Sequence, residues 1–86
     1  MENGEVQQRI LQFIKARFPR AKKRNVDPSS ALLESGIIDS LGMLDVVSML
    51  EKDFGIAVLD EELVRDNFQT IAHIAEFVSR KSERKG

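Results

Sequence analysis

Few residues in this chain could do chemistry, and the most informative is a serine between an aspartate and a leucine, Asp39-Ser40-Leu41. It stands where an irregular stretch gives way to helical periodicity, so Ser40 falls at a helix N-terminus. Unpaired backbone amides and the helix dipole favour negative charge there, and a phosphodiester on the Ser40 oxygen would rest in a ready anion site. The plainer reading of the same position is that Ser40 only caps the helix, a role in which serine is common. Position alone leaves both open.

The rest of the catalytic inventory is nearly empty. The chain has no cysteine, so it has no disulfide, thiolate nucleophile or cysteine metal site, and any thiol chemistry must arrive on a prosthetic group. One histidine, His73, and no tyrosine or tryptophan leave little for acid-base catalysis or base stacking. His73 reads as a surface or boundary residue rather than a base or ligand. Lys22-Lys23-Arg24 is a short cluster in a chain of net charge -1, which makes a solvated loop the default and argues against a nucleic-acid partner. No nucleophile with a base, acid pair or metal set has plausible spacing for an enzyme.

The elements that must position Ser40 follow from periodicity. Val6, Ile10, Phe13, Ile14 and Phe18 predict an amphipathic helix from about Glu5 that Pro19 stops. Arg20 to Ile38 shows no sustained period and carries Pro28, Ser29, Ser30 and Gly36, which predicts a long loop pinned to the core by Leu32, Leu33, Ile37 and Ile38. Loops of this length usually carry function. From Ser40 to Phe54, Met43, Leu44, Val46, Val47, Leu50 and Phe54 predict a second helix closed by Gly55 as a left-handed cap. Ile56 and Val58 alternate too briefly for a sheet. Asp60 is expected to cap a short third helix, with Glu61 and Glu62 at its positive end, and Thr70 a last helix with Ile71, Ile74, Ala75, Phe77 and Val78 on one side. The charged tail from Ser79 is expected to fray. The fold class is therefore all-α: three main helices and one short one around one core, with a long loop between the first two.

Length and composition set the outer bounds. Eighty-six residues predict one domain, 1–86, with its folded core at about 5–79 and a charged tail over 80–86. A chain this short buries only about 60 to 65 per cent of its unfolded surface, which argues against a deep enzymatic cavity. Charged residues are 31% of the chain and no apolar run exceeds four residues (Ile56-Ala57-Val58-Leu59), so no membrane insertion is expected. The polar opening Met1-Glu2-Asn3-Gly4-Glu5 has no signal-peptide core, which points to the cytoplasm. Met1 and the charged tail favour a free-standing monomer. Charge is unevenly spread: residues 34–66 carry nine acids against Lys52 and Arg65, whereas both flanks are net basic.

Taken together, Leu33-Glu34-Ser35-Gly36-Ile37-Ile38-Asp39-Ser40-Leu41 resembles the loop and attachment motif of the acyl carrier protein family. Leu50-Glu51-Lys52-Asp53-Phe54-Gly55-Ile56 is similar to the end of that family's second helix, and Asn67-Phe68-Gln69-Thr70-Ile71 to the entry into its last. The likeness spans about residues 30 to 78. It implies a small helical bundle that catalyses nothing and holds an acyl group as a thioester on a 4'-phosphopantetheine arm on Ser40. The arm would be placed by a phosphopantetheinyl transferase using coenzyme A and Mg²⁺. Further implied partners are an acyl or aminoacyl adenylating ligase and acyltransferases or condensing enzymes, docking on the second helix at Asp39, Leu41, Leu44, Asp45, Ser48 and Glu51. Two residues depart from the fatty-acid synthesis pattern: Gly42 replaces an acid and Ser48 a methionine. These departures, with the basic Arg20, Lys22, Lys23 and Arg24, point to a specialised lipid or polyketide role rather than housekeeping fatty acid biosynthesis. Asp39-Ser40-Leu41-Gly42 is similar instead to carriers served by a dedicated adenylating ligase, D-alanyl carriers included, so an aminoacyl or peptidyl load is the first alternative. A helical interaction module in which Ser40 only caps its helix is the second.

Overall fold

The computed structural model describes residues 3–85, and every element in it is helical or irregular. Helix α1 spans Asn3–Arg17 and buries Val6, Ile10 and Ile14, which recur at the spacing that places them on one face. Pro19 does not release the chain into a loop, as periodicity suggested. It opens a second, short helix, α2 (Pro19–Lys23). A proline lacks only an amide that the first turn leaves unpaired, and its fixed φ suits that position. Phe18 is held extended before it, as the residue preceding a proline must be.

The connection from Arg24 to Asp39 is irregular but tied at several points. Asn25 takes a left-handed φ of 52°, a conformation that asparagine tolerates better than most residues. Asp27 accepts from the amide and hydroxyl of Ser29 and from the hydroxyl of Ser30, which closes a tight turn. The Leu32 amide donates to the Gln69 carbonyl and the Ala72 amide to the Pro28 carbonyl, each at 3.0 Å, binding the connection to the start of the last helix. Leu32, Ile37 and Ile38 are buried as expected, whereas Leu33 is only partly covered.

Helix α3 (Ser40–Phe54) ends on Gly55 at φ 65°, the left-handed cap anticipated for it. It buries Met43, Val46, Val47 and Leu50, an i, i+3, i+4, i+7 stripe, with Met49 beside them. Leu44 departs from expectation: the stripe is centred one residue away, and Leu44 is turned out to solvent.

After an extended stretch through Ile56, a 3₁₀ turn over Asp60–Glu62 leads into α4 (Arg65–Phe68). Asp60 is not the cap of this segment. Glu62 reaches back to accept from the Leu59 amide at 2.9 Å, and Asp60 is already the first residue of the turn. Two short helices and a 3₁₀ turn therefore accompany the three long helices, where one short helix was expected.

Helix α5 (Ile71–Lys85) starts on Thr70, whose hydroxyl accepts from the His73 amide at 3.1 Å. Its buried face is Ile71, Ile74, Ala75, Phe77 and Val78. Helix α5 continues through Lys85 into the charged tail, and Lys81 is paired to Glu62 at 2.9 Å. Helix α1 packs along α5, and α4 is held on it by Phe68 against Phe77, ring centroids 5.6 Å apart.

Candidate functional site

The N-cap of α3 is Asp39, not Ser40. Its carboxylate accepts from the Gly42 amide at 2.6 Å, and its carbonyl accepts the first helical bond, from Met43, at 2.9 Å. Ser40 is thus the first full helical residue. It is exposed, and among the described residues its hydroxyl has no hydrogen-bond partner. With capping done by Asp39, the reading in which Ser40 serves only as the cap loses its observation. The Ser40 and Leu41 amides have no intrachain acceptor among the described residues, so two donors at the positive end of a 15-residue helix face outward.

Beside Ser40 lies a cavity of about 210 Å³ between the first turns of α3 and the stretch from Leu63 to Phe68. Its wall is apolar, formed by Met43, Leu44, Val47, Leu63, Val64 and Phe68, and its one charged lining residue is Arg65. Leu63, Val64 and Arg65 were not singled out from sequence. Their segment has no period, and only the fold carries it across to α3. The arrangement fits a phosphate on Ser40: an unengaged hydroxyl, two free amides, a cation in the wall and no carboxylate lining the cavity.

On the opposite flank, Phe18 is packed on Gly42. A Cβ on Gly42 would stand 2.8 Å from Phe18 Cε1, 3.1 Å from Ile38 Cγ2 and 3.2 Å from Asp39 Oδ1. Any side chain there would have to displace the phenylalanine ring. Arg17 stacks on Phe18, 6.0 Å from the ring centroid, and its guanidinium meets Asp45 at 3.0 Å. Arg20 donates to the Gly36 carbonyl and Arg24 to the Ser35 carbonyl. Two residues of the basic segment, Arg20 and Arg24, thus tie α2 and its end to the loop before Ser40, and Gly36, at φ 76°, supplies the turn they hold.

The six residues expected to dock partners divide into two groups. Leu41, Leu44 and Ser48 are exposed and share one face of α3, with Leu41 76% and Leu44 52% accessible. The three acids are engaged inside the chain: Asp39 as the cap, Asp45 by Arg17, and Glu51 by accepting from the Val58 amide at 3.0 Å. His73 is exposed on α5 with Nδ1 2.7 Å from the Thr70 hydroxyl, a place in the helix cap far from any ligand set. Among the described residues no three metal-ligating side chains converge, and no helix is long and apolar enough to cross a membrane.

Comparison with known proteins bears on this arrangement. The family described as the phosphopantetheine attachment site matches residues 8–78, from within α1 into α5. The chain belongs to that family. The prosthetic group of this carrier family is 4'-phosphopantetheine, held covalently. Among relatives, the D-alanyl carrier protein of Bacillus pumilus is 36% identical over 50 residues, 58% of this chain and 64% of that protein, so the match spans just under two thirds of its length. A Serratia protein named "Probable acyl carrier protein PigG" is 24% identical over 75 residues, 87% of this chain and 86% of its own. The all-helical carrier bundle expected from sequence is the fold observed.

Proposed function

We propose that the phosphopantetheine arm is attached to the Ser40 oxygen and that this chain is a carrier, not a catalyst, presenting a thioester-bound acyl group to partner enzymes. The observation that carries this reading is an exposed, unbonded hydroxyl at the first position of a helix whose capping is already done by Asp39. In the transfer, Ser40 Oγ forms a bond to phosphorus as the pyrophosphate link of coenzyme A breaks. The nucleotide leaves, and the hydroxyl proton passes to a base on the transferase. The arm brings the thiol that a cysteine-free chain lacks. What this chain contributes is placement: α3 holds the oxygen outward, and the α1–α2 ties hold the loop behind it.

The cargo is proposed to be an acyl group. The cavity beside Ser40 has apolar walls and a guanidinium, with no carboxylate to pair an ammonium. An aminoacyl load remains the second reading, favoured by the likeness to a D-alanyl carrier protein. Partners are a phosphopantetheinyl transferase, an acyl or aminoacyl adenylating ligase, and acyltransferases or condensing enzymes. They dock on α3 over Asp39, Leu41, Leu44, Asp45, Ser48 and Glu51. We place the carrier in the cytoplasm as a monomer in a specialised pathway, since Gly42 and Ser48 depart from the fatty-acid synthesis pattern.

Incubation with coenzyme A and a promiscuous phosphopantetheinyl transferase, followed by intact mass, tests the attachment. One added arm, absent in Ser40→Ala, is expected. Failure with several transferases would favour a helical interaction module. Exclusive loading of the holo-protein with an amino acid by its ligase would replace the acyl reading with the aminoacyl one.

A further inference from the structure

Attachment turns a neutral hydroxyl into a permanent anion at the mouth of a cavity whose other walls are Leu33, Leu44, Leu63 and Val64. Such walls cannot solvate a charge, so on the cavity side the anion is left with the donors that border the same space. The Ser40 and Leu41 amides supply two. The remaining polar side chain in the lining is Arg65.

Arg65 is free to take this role because its present partnership is loose. Its Nη1 lies 3.6 Å from Glu34 Oε1, beyond hydrogen-bonding distance, and the two side chains are 66% and 53% exposed. Exposed pairs of this kind contribute little and exchange readily. The other guanidiniums near the attachment loop are better held: Arg17 by Asp45 at 3.0 Å, Arg20 by the Gly36 carbonyl at 3.0 Å and Arg24 by the Ser35 carbonyl at 2.8 Å. A planar guanidinium also matches two phosphate oxygens in a way that a carboxylate at this distance does not exploit.

We propose that Arg65 exchanges Glu34 for the phosphodiester on Ser40, so that attachment of the arm draws the Leu63–Arg65 wall of the cavity onto the start of α3. This rests on Ser40 being the attachment point. Arg65 opens α4, whose other end is anchored by buried Phe68, so the new contact closes a short strap across the cavity from Ser40 to the core. The apo-protein keeps the strap on Glu34, and the holo-protein keeps it on its own prosthetic group.

The test compares apo and holo forms of the full chain, with intact mass recorded first. If no arm is added, the attachment reading itself fails. If the arm is added, two readouts that do not depend on any partner decide the role of Arg65. Its Nε–H resonance is expected to move on modification. The gain in melting temperature from apo to holo is expected to be about 2–4 °C smaller in Arg65→Gln than in the wild type. Arg65→Lys restores charge without the fork and should recover only part of that gain, and Glu34→Gln should enlarge it by removing the competitor. An Nε–H resonance that stays in place, with equal holo gains in wild type and Arg65→Gln, would overturn the exchange.

Discussion

Gly42 shows how a single atom decides what can stand beside Ser40. Phe18 fills the space that its side chain would take, so any larger residue there must shift the ring. Gly42→Asp is expected to cost about 1–3 kcal/mol in urea unfolding, as overpacking does. Combining it with Phe18→Ala should recover part of that loss, since the two changes share one contact. Asp39 works at the same scale. Its carboxylate caps α3 through the Gly42 amide, and Asp39→Ala should lower stability by about 1 kcal/mol while Asp39→Asn retains most of it. These dependencies were invisible in the sequence for a physical reason. Asp39-Ser40-Leu41 announces a helix start, but which of two adjacent polar residues caps it depends on the backbone turn. Asp45 finds its partner on another helix, where Arg17 is 28 residues away, and the ring against Gly42 belongs to Phe18, at the corner between α1 and α2.

At the scale of elements, α1, α3 and α5 were legible because each buries a stripe at helical spacing and two carry plain signals, Gly55 at the end of α3 and Thr70 at the start of α5. Helix α2 was not, because its five residues include one buried side chain, Ala21, and five residues cannot display a period. The same limit hid α4 and with it Arg65. At the other end of the chain, Lys81 on α5 finds Glu62. The connection before Ser40 has its own pH response. The Ser29 hydroxyl, followed by the Ser29 amide, holds the Asp27 carboxyl below its ordinary value of 3.8. A carboxyl depressed in the folded state stabilises the turn fully above the unfolded value and loses that contribution as pH falls through the lower folded one. The Ser29 and Ser30 amide resonances should therefore be constant above about pH 5 and shift only below the ordinary aspartate range. In Asp27→Asn this acid-range movement should vanish.

For the whole molecule, the helices pack around one core and leave the Ser40 hydroxyl at the surface. The core draws on every helix, from Val6 and Ile10 through Val46 and Leu50 to Ile74 and Val78, and it leaves Leu41 and Leu44 of α3 outside. Leu41 and Leu44 stand beside Ser40 with no core role, which suits a surface met by successive enzymes rather than a closed active site. Asp45 and Glu51 on the same helix are held by Arg17 and by the Val58 amide, so among the described residues Leu41 and Leu44 are the apolar side chains of this face with no tie inside the chain. The most direct check of this account is fragmentation mass spectrometry of the protein purified from cells that make it naturally. The account requires the phosphopantetheine mass on the fragment that contains Ser40. A chain recovered only bare from cells with active modifying enzymes, or carrying the arm at another residue, would contradict it.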